Sequence, residues 1–251
     1  MNRRDEQVVG GQLGRPPRGV SSVPVRCPFG YPAVIESLPL FPDGTPNPNL
    51  YYVTCPALVR AVSRVEGRGG VGKLRALAEE PGPVQETLRL LQDWYRVQRR
   101  HQLQAGGFGE GAGPAAKTES ETGAQPTDSA ELEKRAVLAE KVVRAGIGGP
   151  ESPEKASCLH AYAAAFLAAS AGRLDEEAGL AARAAQAWES LLPPLETLWC
   201  REQLCLRWEQ DRSFEQDRGS ERRAVIDVGT VSVRLLVADV PAADGQTGAE
   251  V

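Results

Sequence analysis

Short segments with valine and isoleucine bounded by turn residues come early in the chain, then give way to apolar spacings of three and four. Residues 20–26 and 33–38 read as strands, joined by the turn Cys27-Pro28-Phe29-Gly30-Tyr31-Pro32. Residues 1–19 hold Gly10, Gly11, Gly14, Pro16 and Pro17, and read as an arm with little regular structure. Residues 39–49 carry four prolines and Asp43-Gly44 and read as a loop. Leu50-Tyr51-Tyr52-Val53 is aromatic and β-branched, which predicts a third strand.

Helical spacing begins after Thr54-Cys55-Pro56. Threonine suits an N-cap, and proline suits the first turn because its missing N–H has no helical partner there. Leu58, Ala61, Val62 and Val65 follow on one face, and residues 67–72 end that helix with glycines. Residues 74–79 and 84–104 read as helices. Residues 105–128 are Gly, Ala, Ser, Thr, Glu and Pro with little to bury, and read as a disordered linker. Helices are expected over 130–145, from Ser152-Pro153 to Ser170, over 175–192 and over 195–210. Residues 224–240 return to strand, turn and strand.

The expected fold is therefore α+β. A small N-terminal β-sheet packs against a helical bundle, with a disordered linker and a C-terminal β-hairpin. The expected divisions are 1–104 for the N-terminal α+β part, 105–128 for the linker, 129–211 for the helical part and 222–240 for the hairpin.

Composition narrows the class. Hydrophobic residues are 41% and charged residues 25% of 251, which excludes a collagen or a wholly disordered chain. A net charge of -4 disfavours a globally basic nucleic-acid binder. Residues 161–169 form the longest apolar run, short of the roughly 20 a membrane-spanning helix needs. Arg3 and Arg4 are followed by no apolar signal segment, so the expected compartment is the cytoplasm. In a reducing compartment Cys27, Cys55, Cys158, Cys200 and Cys205 are expected free, metal-bound or catalytic rather than paired.

Four residues form a candidate metal set: Cys27, Cys55, Cys158 and His160. Thiolate and imidazole in fours suit Zn²⁺, and thiolate-rich sites suit an Fe–S cluster. A helix starting at Pro153 would set Cys158 and His160 about 200° apart, whereas a later start lets them converge. The plainer account makes Cys158 a small apolar residue on a helix stripe. Cys55 has a second role open to it. At a helix N-terminus the dipole and free N–H groups lower a thiol pKa, so Cys55 is a candidate nucleophile toward an anionic substrate.

Other motifs carry less. Gly67-Arg68-Gly69-Gly70-Val71-Gly72-Lys73-Leu74 nearly matches a phosphate-binding loop. Leu74 stands where a hydroxyl is needed and the preceding segment is helical, so a Gly-rich helix–helix joint is expected. Arg96, Arg99, Arg100 and His101 read as a solvated basic helix end. Cys200 with Trp199 and Trp208 reads as core or as a partner-facing surface.

Several blocks in order also carry a resemblance. Leu13-Gly14-Arg15-Pro16-Pro17-Arg18-Gly19, Arg26-Cys27-Pro28-Phe29-Gly30, Asn49-Leu50-Tyr51-Tyr52-Val53-Thr54-Cys55-Pro56, Ala61-Val62-Ser63-Arg64-Val65-Glu66 and Cys158-Leu159-His160-Ala161 are similar to a bacterial family catalogued as domain of unknown function 501. The resemblance spans roughly residues 8–172. Members of that family often lie beside exopolyphosphatase genes. The resemblance thus implies an exopolyphosphatase or other protein partner and a setting near polyphosphate metabolism.

A second block, residues 223–239, resembles the opening hairpin of the Ppx/GppA phosphatases. That resemblance implies a phosphate loop in which Asp227 holds Mg²⁺ or water, Gly229 and Thr230 offer backbone N–H groups, and Arg234 adds a charged contact. Val231 stands where that family has asparagine. Only residues 240–251 follow, without the second phosphate loop or closing domain of such an enzyme. No exopolyphosphatase activity is therefore expected of this chain. The expected function is a cytosolic accessory protein, metal-binding through Cys and His. A cysteine-dependent enzyme and a structural partner-binding module are the alternatives.

Overall fold

A computed structural model of the chain describes residues 1–41, 44–105, 129–171, 179–200, 220–228 and 233–241, with side chains described outside 129–136 and 220–241. The chain forms two compact units, Met1–Cys205 and Leu206–Val251. Among the described residues there are seven α-helices, a three-stranded antiparallel sheet and a two-stranded one, so the fold is α+β. No described helix is long and apolar enough to cross a membrane.

The first unit opens with a helix, α1 (Arg3–Leu13), where an irregular arm was expected. Local and tertiary terms outweigh its two internal glycines. The Asn2 side chain accepts the Asp5 N–H, and Gly14 closes the helix at φ 67, where only glycine is unstrained. Val8 and Val9 are buried, and Asp5 pairs with both guanidinium nitrogens of Arg26 at 2.8 and 2.7 Å.

Strands β1 (Val20–Arg26), β2 (Pro32–Ser37) and β3 (Tyr51–Val53) form the sheet in that order. The β1–β2 turn closes by Cys27 N–H to Tyr31 O at 2.9 Å, with Gly30 at φ 81. Helix α2 (Pro56–Glu66) follows, but Thr54 is not its cap. The Thr54 and Cys55 N–H groups both bond Ala33 O, so the β2–β3 ladder runs on and Cys55 occupies the cap position. A glycine-rich joint leads to α3 (Gly70–Glu79), then α4 (Pro83–Ala105). The expected linker lies outside the described residues, apart from Ala105, which closes α4.

After α5 (Ser129–Arg144), Pro153–Lys155 makes one 3-10 turn and α6 (Leu159–Ala171) begins later than Pro153. Nearly every side chain of α6 from Leu159 to Ala169 is buried, and a helix apolar on all sides belongs at the centre of a core. It packs on all three strands of the sheet and on α2, α3, α4 and α7 (Leu180–Leu191). Residues on both sides of segment 105–128 therefore share one core. Leu195–Thr197 is a short 3-10 turn where a longer helix was expected; its continuation past Cys200 lies outside the described residues. Trp199 packs partly buried against the core.

The basic cluster of α4 is also different from expectation. The helix continues to Ala105, and Arg99 is 1% exposed rather than solvated. In the second unit, β4 (Ser220–Val228) pairs with β5 (Val233–Pro241) in continuous antiparallel register.

A candidate metal centre at the start of α6

His160 is the one side chain between Leu159 and Ala169 that is not buried. Its position follows from where α6 starts. Cys158 immediately precedes the helix and His160 lies in its first turn, so the two side chains converge instead of diverging around a longer helix. Arg75 fixes the approach to this start by donating from Nε to Ala156 O at 2.7 Å.

The end of α2 supplies the third group. Glu66 Oε2 lies 2.8 Å from His160 Nδ1, and Oε1 accepts the Leu159 N–H at 2.8 Å. The carboxylate therefore satisfies one of the free N–H groups of the α6 N-terminus while it meets the imidazole. On the other side of the ring, His160 Nε2 is 3.0 Å from Ser63 Oγ and 3.3 Å from Val59 O. Ser63 Oγ itself donates to Val59 O at 2.8 Å. A carbonyl only accepts, so this contact puts a proton on Nε2.

One donor atom from each of Glu66, Cys158 and His160 lies within 4.8 Å of the other two. All three residues are partly exposed. The electrostatics tie them together. Hydrogen bonding to Cys158 raises the His160 pKa above its ordinary 6.5; burial opposes this, and the Glu66 charge and Val59 carbonyl add to it. Burial alone would push the Cys158 thiol up, but hydrogen bonds from His160 and the Ala161 N–H bring it below its ordinary 9.0.

The expected four-residue ligand set is not assembled. Among the described residues the only such group has Cys158 and His160, joined by Glu66, and neither Cys27 nor Cys55 belongs to it. Cys27 is 6% exposed beside the β1–β2 turn, and Cys55 is 3% exposed before α2. Burial raises the Cys55 pKa, and the N–H groups of Leu58 and Ala57 only partly offset this. The helix N-terminus is present, but burial outweighs its effect on a thiolate. Asp227 and Arg234 face each other in register across β4 and β5. Gly229 and Thr230 lie outside the described residues.

These environments predict a difference in reactivity. Brief treatment of the folded, chelator-stripped protein with iodoacetamide at neutral pH labels Cys158 well ahead of Cys27 and Cys55, read by peptide mass spectrometry. Equal labelling of Cys55 and Cys158 would contradict the burial and the hydrogen bonds described.

A protein-family model described as "Protein of unknown function (DUF501)" matches residues 23–179. The chain belongs to this family. No curated protein and no solved structure matches it. The DUF501 match contains Glu66, Cys158 and His160, as well as Cys27 and Cys55. It ends before α7 and the C-terminal hairpin, and nothing in the comparisons supports a Ppx/GppA likeness for residues 223–239 or a link to polyphosphate.

Sequence reasoning missed Glu66. Two blocks that carry the DUF501 resemblance, residues 61–66 and 158–161, end up in contact, and Glu66 is the only carboxylate in either. That was the available signal. Attention to cysteine and histidine alone passed over it.

Proposed function

We propose that this DUF501 protein binds a zinc ion through Glu66, Cys158 and His160. The observation that carries the proposal is that the three donor atoms converge, all lying within 4.8 Å of one another. A thiol–imidazole–carboxylate relay needs its thiol and carboxylate on opposite ring nitrogens, roughly 7 Å apart or more across the ring and two hydrogen bonds. Glu66 and Cys158 are too close for that arrangement, and their spacing suits ligands around one ion.

The chemistry of the donors favours zinc. A thiolate, an imidazole and a carboxylate are all ordinary zinc ligands. A single thiolate does not suit an Fe–S cluster, which is usually held by four. The surroundings also suit a metal. With the Nε2 proton directed at Ser63 and Val59, loss of the Nδ1 proton that the Glu66 carboxylate accepts would free the Nδ1 lone pair for the ion, and the Leu159 N–H orients the carboxylate. Three protein ligands leave one coordination position for a small exogenous ligand. Centres of that kind serve as Lewis acids rather than as closed structural staples.

The test is elemental analysis of purified protein, followed by competition titration with a chromophoric zinc chelator. About one zinc per chain is expected in the wild type. Cys158→Ser, His160→Gln and Glu66→Gln should each weaken binding by at least about a hundredfold, since each removes one of three ligands. Cys27→Ser and Cys55→Ser should leave it unchanged. Absence of zinc binding in the wild type, or equal binding in the three ligand variants, rejects the proposal.

A further inference from the structure

We infer that Gly70, which touches none of the three donor groups, is a positioning residue of the metal centre; the inference rests on the zinc proposal. Gly70 is the first residue of α3 and is buried. A Cβ built there would lie 2.8 Å from Val65 O and 2.9 Å from Leu159 Cδ2. Val65 precedes Glu66, and Leu159 stands between Cys158 and His160. The missing side chain thus lies where the two ligand-bearing segments meet.

Neither neighbour can yield cheaply. The Val65 contact is with a backbone oxygen, which already accepts the Arg68 N–H at 3.1 Å. The Leu159 side chain is fully buried in the core. Nor can α3 move aside to make room. Its Leu74 and Ala78 are fully buried, and its Arg75 is bonded to Ala156 O, on the segment leading into α6. A methyl at position 70 therefore drives the end of α2 away from the start of α6. That motion separates Glu66 from Cys158 and His160 and lengthens the Glu66–Leu159 N–H bond.

Zinc ligation is sensitive to displacements of this size, because functional sites must be held to within about 0.5 Å. Gly70→Ala should weaken zinc binding about tenfold or more, the scale of losses seen when groups behind metal ligands are disturbed. It should also change the visible absorption spectrum of the Co²⁺-substituted protein. Gly72→Ala, in the same helix with nothing within 4 Å of its built Cβ, should match wild type in both measurements. Leu88→Ala, which opens a cavity in α4, a helix that carries none of the three donor groups, should lower stability and leave the cobalt spectrum unchanged.

If Gly70→Ala binds zinc and cobalt as wild type does, the inference is overturned. If the variant fails to fold, the comparison moves to Leu159→Ala with and without Gly70→Ala. The conflict with Val65 O persists there, so the double variant should bind zinc more weakly than Leu159→Ala; equal affinity overturns the inference. Failure of the wild type itself to bind zinc would reject the underlying proposal, and the wild-type titration alone reveals it.

Discussion

Zinc should stabilise the protein against unfolding, and this effect should grow as pH rises from about 6 to about 8, through the range where imidazole titrates. At zinc concentrations a hundred times the dissociation constant, the stabilisation is about 2.7 kcal/mol. Metal ligands must lose their protons, so higher pH favours the metal. The metal-free protein should show the opposite slope for its histidine. The folded-state pKa of His160 lies above the ordinary 6.5, because Cys158 and Glu66 favour the charged ring. That contribution is fully present below 6.5 and is lost as pH rises through the folded value. Cys158 works in the other sense. Its pKa lies below 9.0, so its contribution is present above 9.0 and is lost as pH falls through the folded value.

The measurement is urea unfolding across that pH range, with and without zinc, on wild type and His160→Gln. The difference between the two proteins without zinc isolates the histidine. It should shrink with rising pH, while the zinc-dependent gain in the wild type should rise. A zinc effect that is equal in His160→Gln, or flat with pH, would contradict the proposed ligand set.

Arg99→Ala should cost about 3–5 kcal/mol, because it removes a large buried side chain and orphans the groups bonded to it. Arg99 NH1 donates to Val142 O at 2.9 Å, and NH2 donates to Pro48 O at 2.8 Å. NH2 also reaches the Tyr95 hydroxyl at 3.3 Å, and the guanidinium sits 5.1 Å over the Tyr95 ring. Val142 lies in the last turn of α5, whose carbonyls lack helical partners and carry the negative end of the helix dipole. A buried cation is stabilised there by carbonyl oxygens and an aromatic face. The same contacts tie α4 to α5 and to the loop before β3.

Two further variants separate charge from volume. Arg99→Met refills most of the space but leaves the Val142 and Pro48 carbonyls without their donor, so its loss should be smaller than that of alanine. Arg99→Lys keeps the charge but lacks the planar fork needed to reach both carbonyls, so it should not restore full stability. Denaturant unfolding of the three variants provides the comparison. A loss under about 0.5 kcal/mol for Arg99→Ala, the usual range for a surface change, would show that the arginine is not a structural tie.

Local pattern carried the regular elements well. Strand β1 starts and ends where a short valine-containing run and the turn after it, with Gly30 at φ 81, predict. The glycine joint between α2 and α3 was equally legible, since no strand precedes it. Helix α1 was not legible. Two glycines and two nearby prolines argue against it, and it is held by Val8, Val9 and the Asp5–Arg26 pair, whose partners lie in later segments. The burial of Arg99 was hidden for a similar reason. Its acceptors are backbone carbonyls at positions 48 and 142, and no residue type marks a carbonyl.

By itself the sequence determined the α+β class, the order of strands and helices from β1 to α7, and the presence of Cys158 and His160 as a pair worth attention. These follow from periodicity and residue chemistry, which act over a few positions. Only the tertiary structure decided that Cys158 stands outside α6, that Glu66 completes the group, and that burial raises the Cys55 pKa. Glu66 and Leu159 are 93 positions apart and joined by one hydrogen bond. Contacts of that separation are set by how helices pack on a shared core, with Gly70 leaving room for the approach, and no local pattern in the chain encodes them.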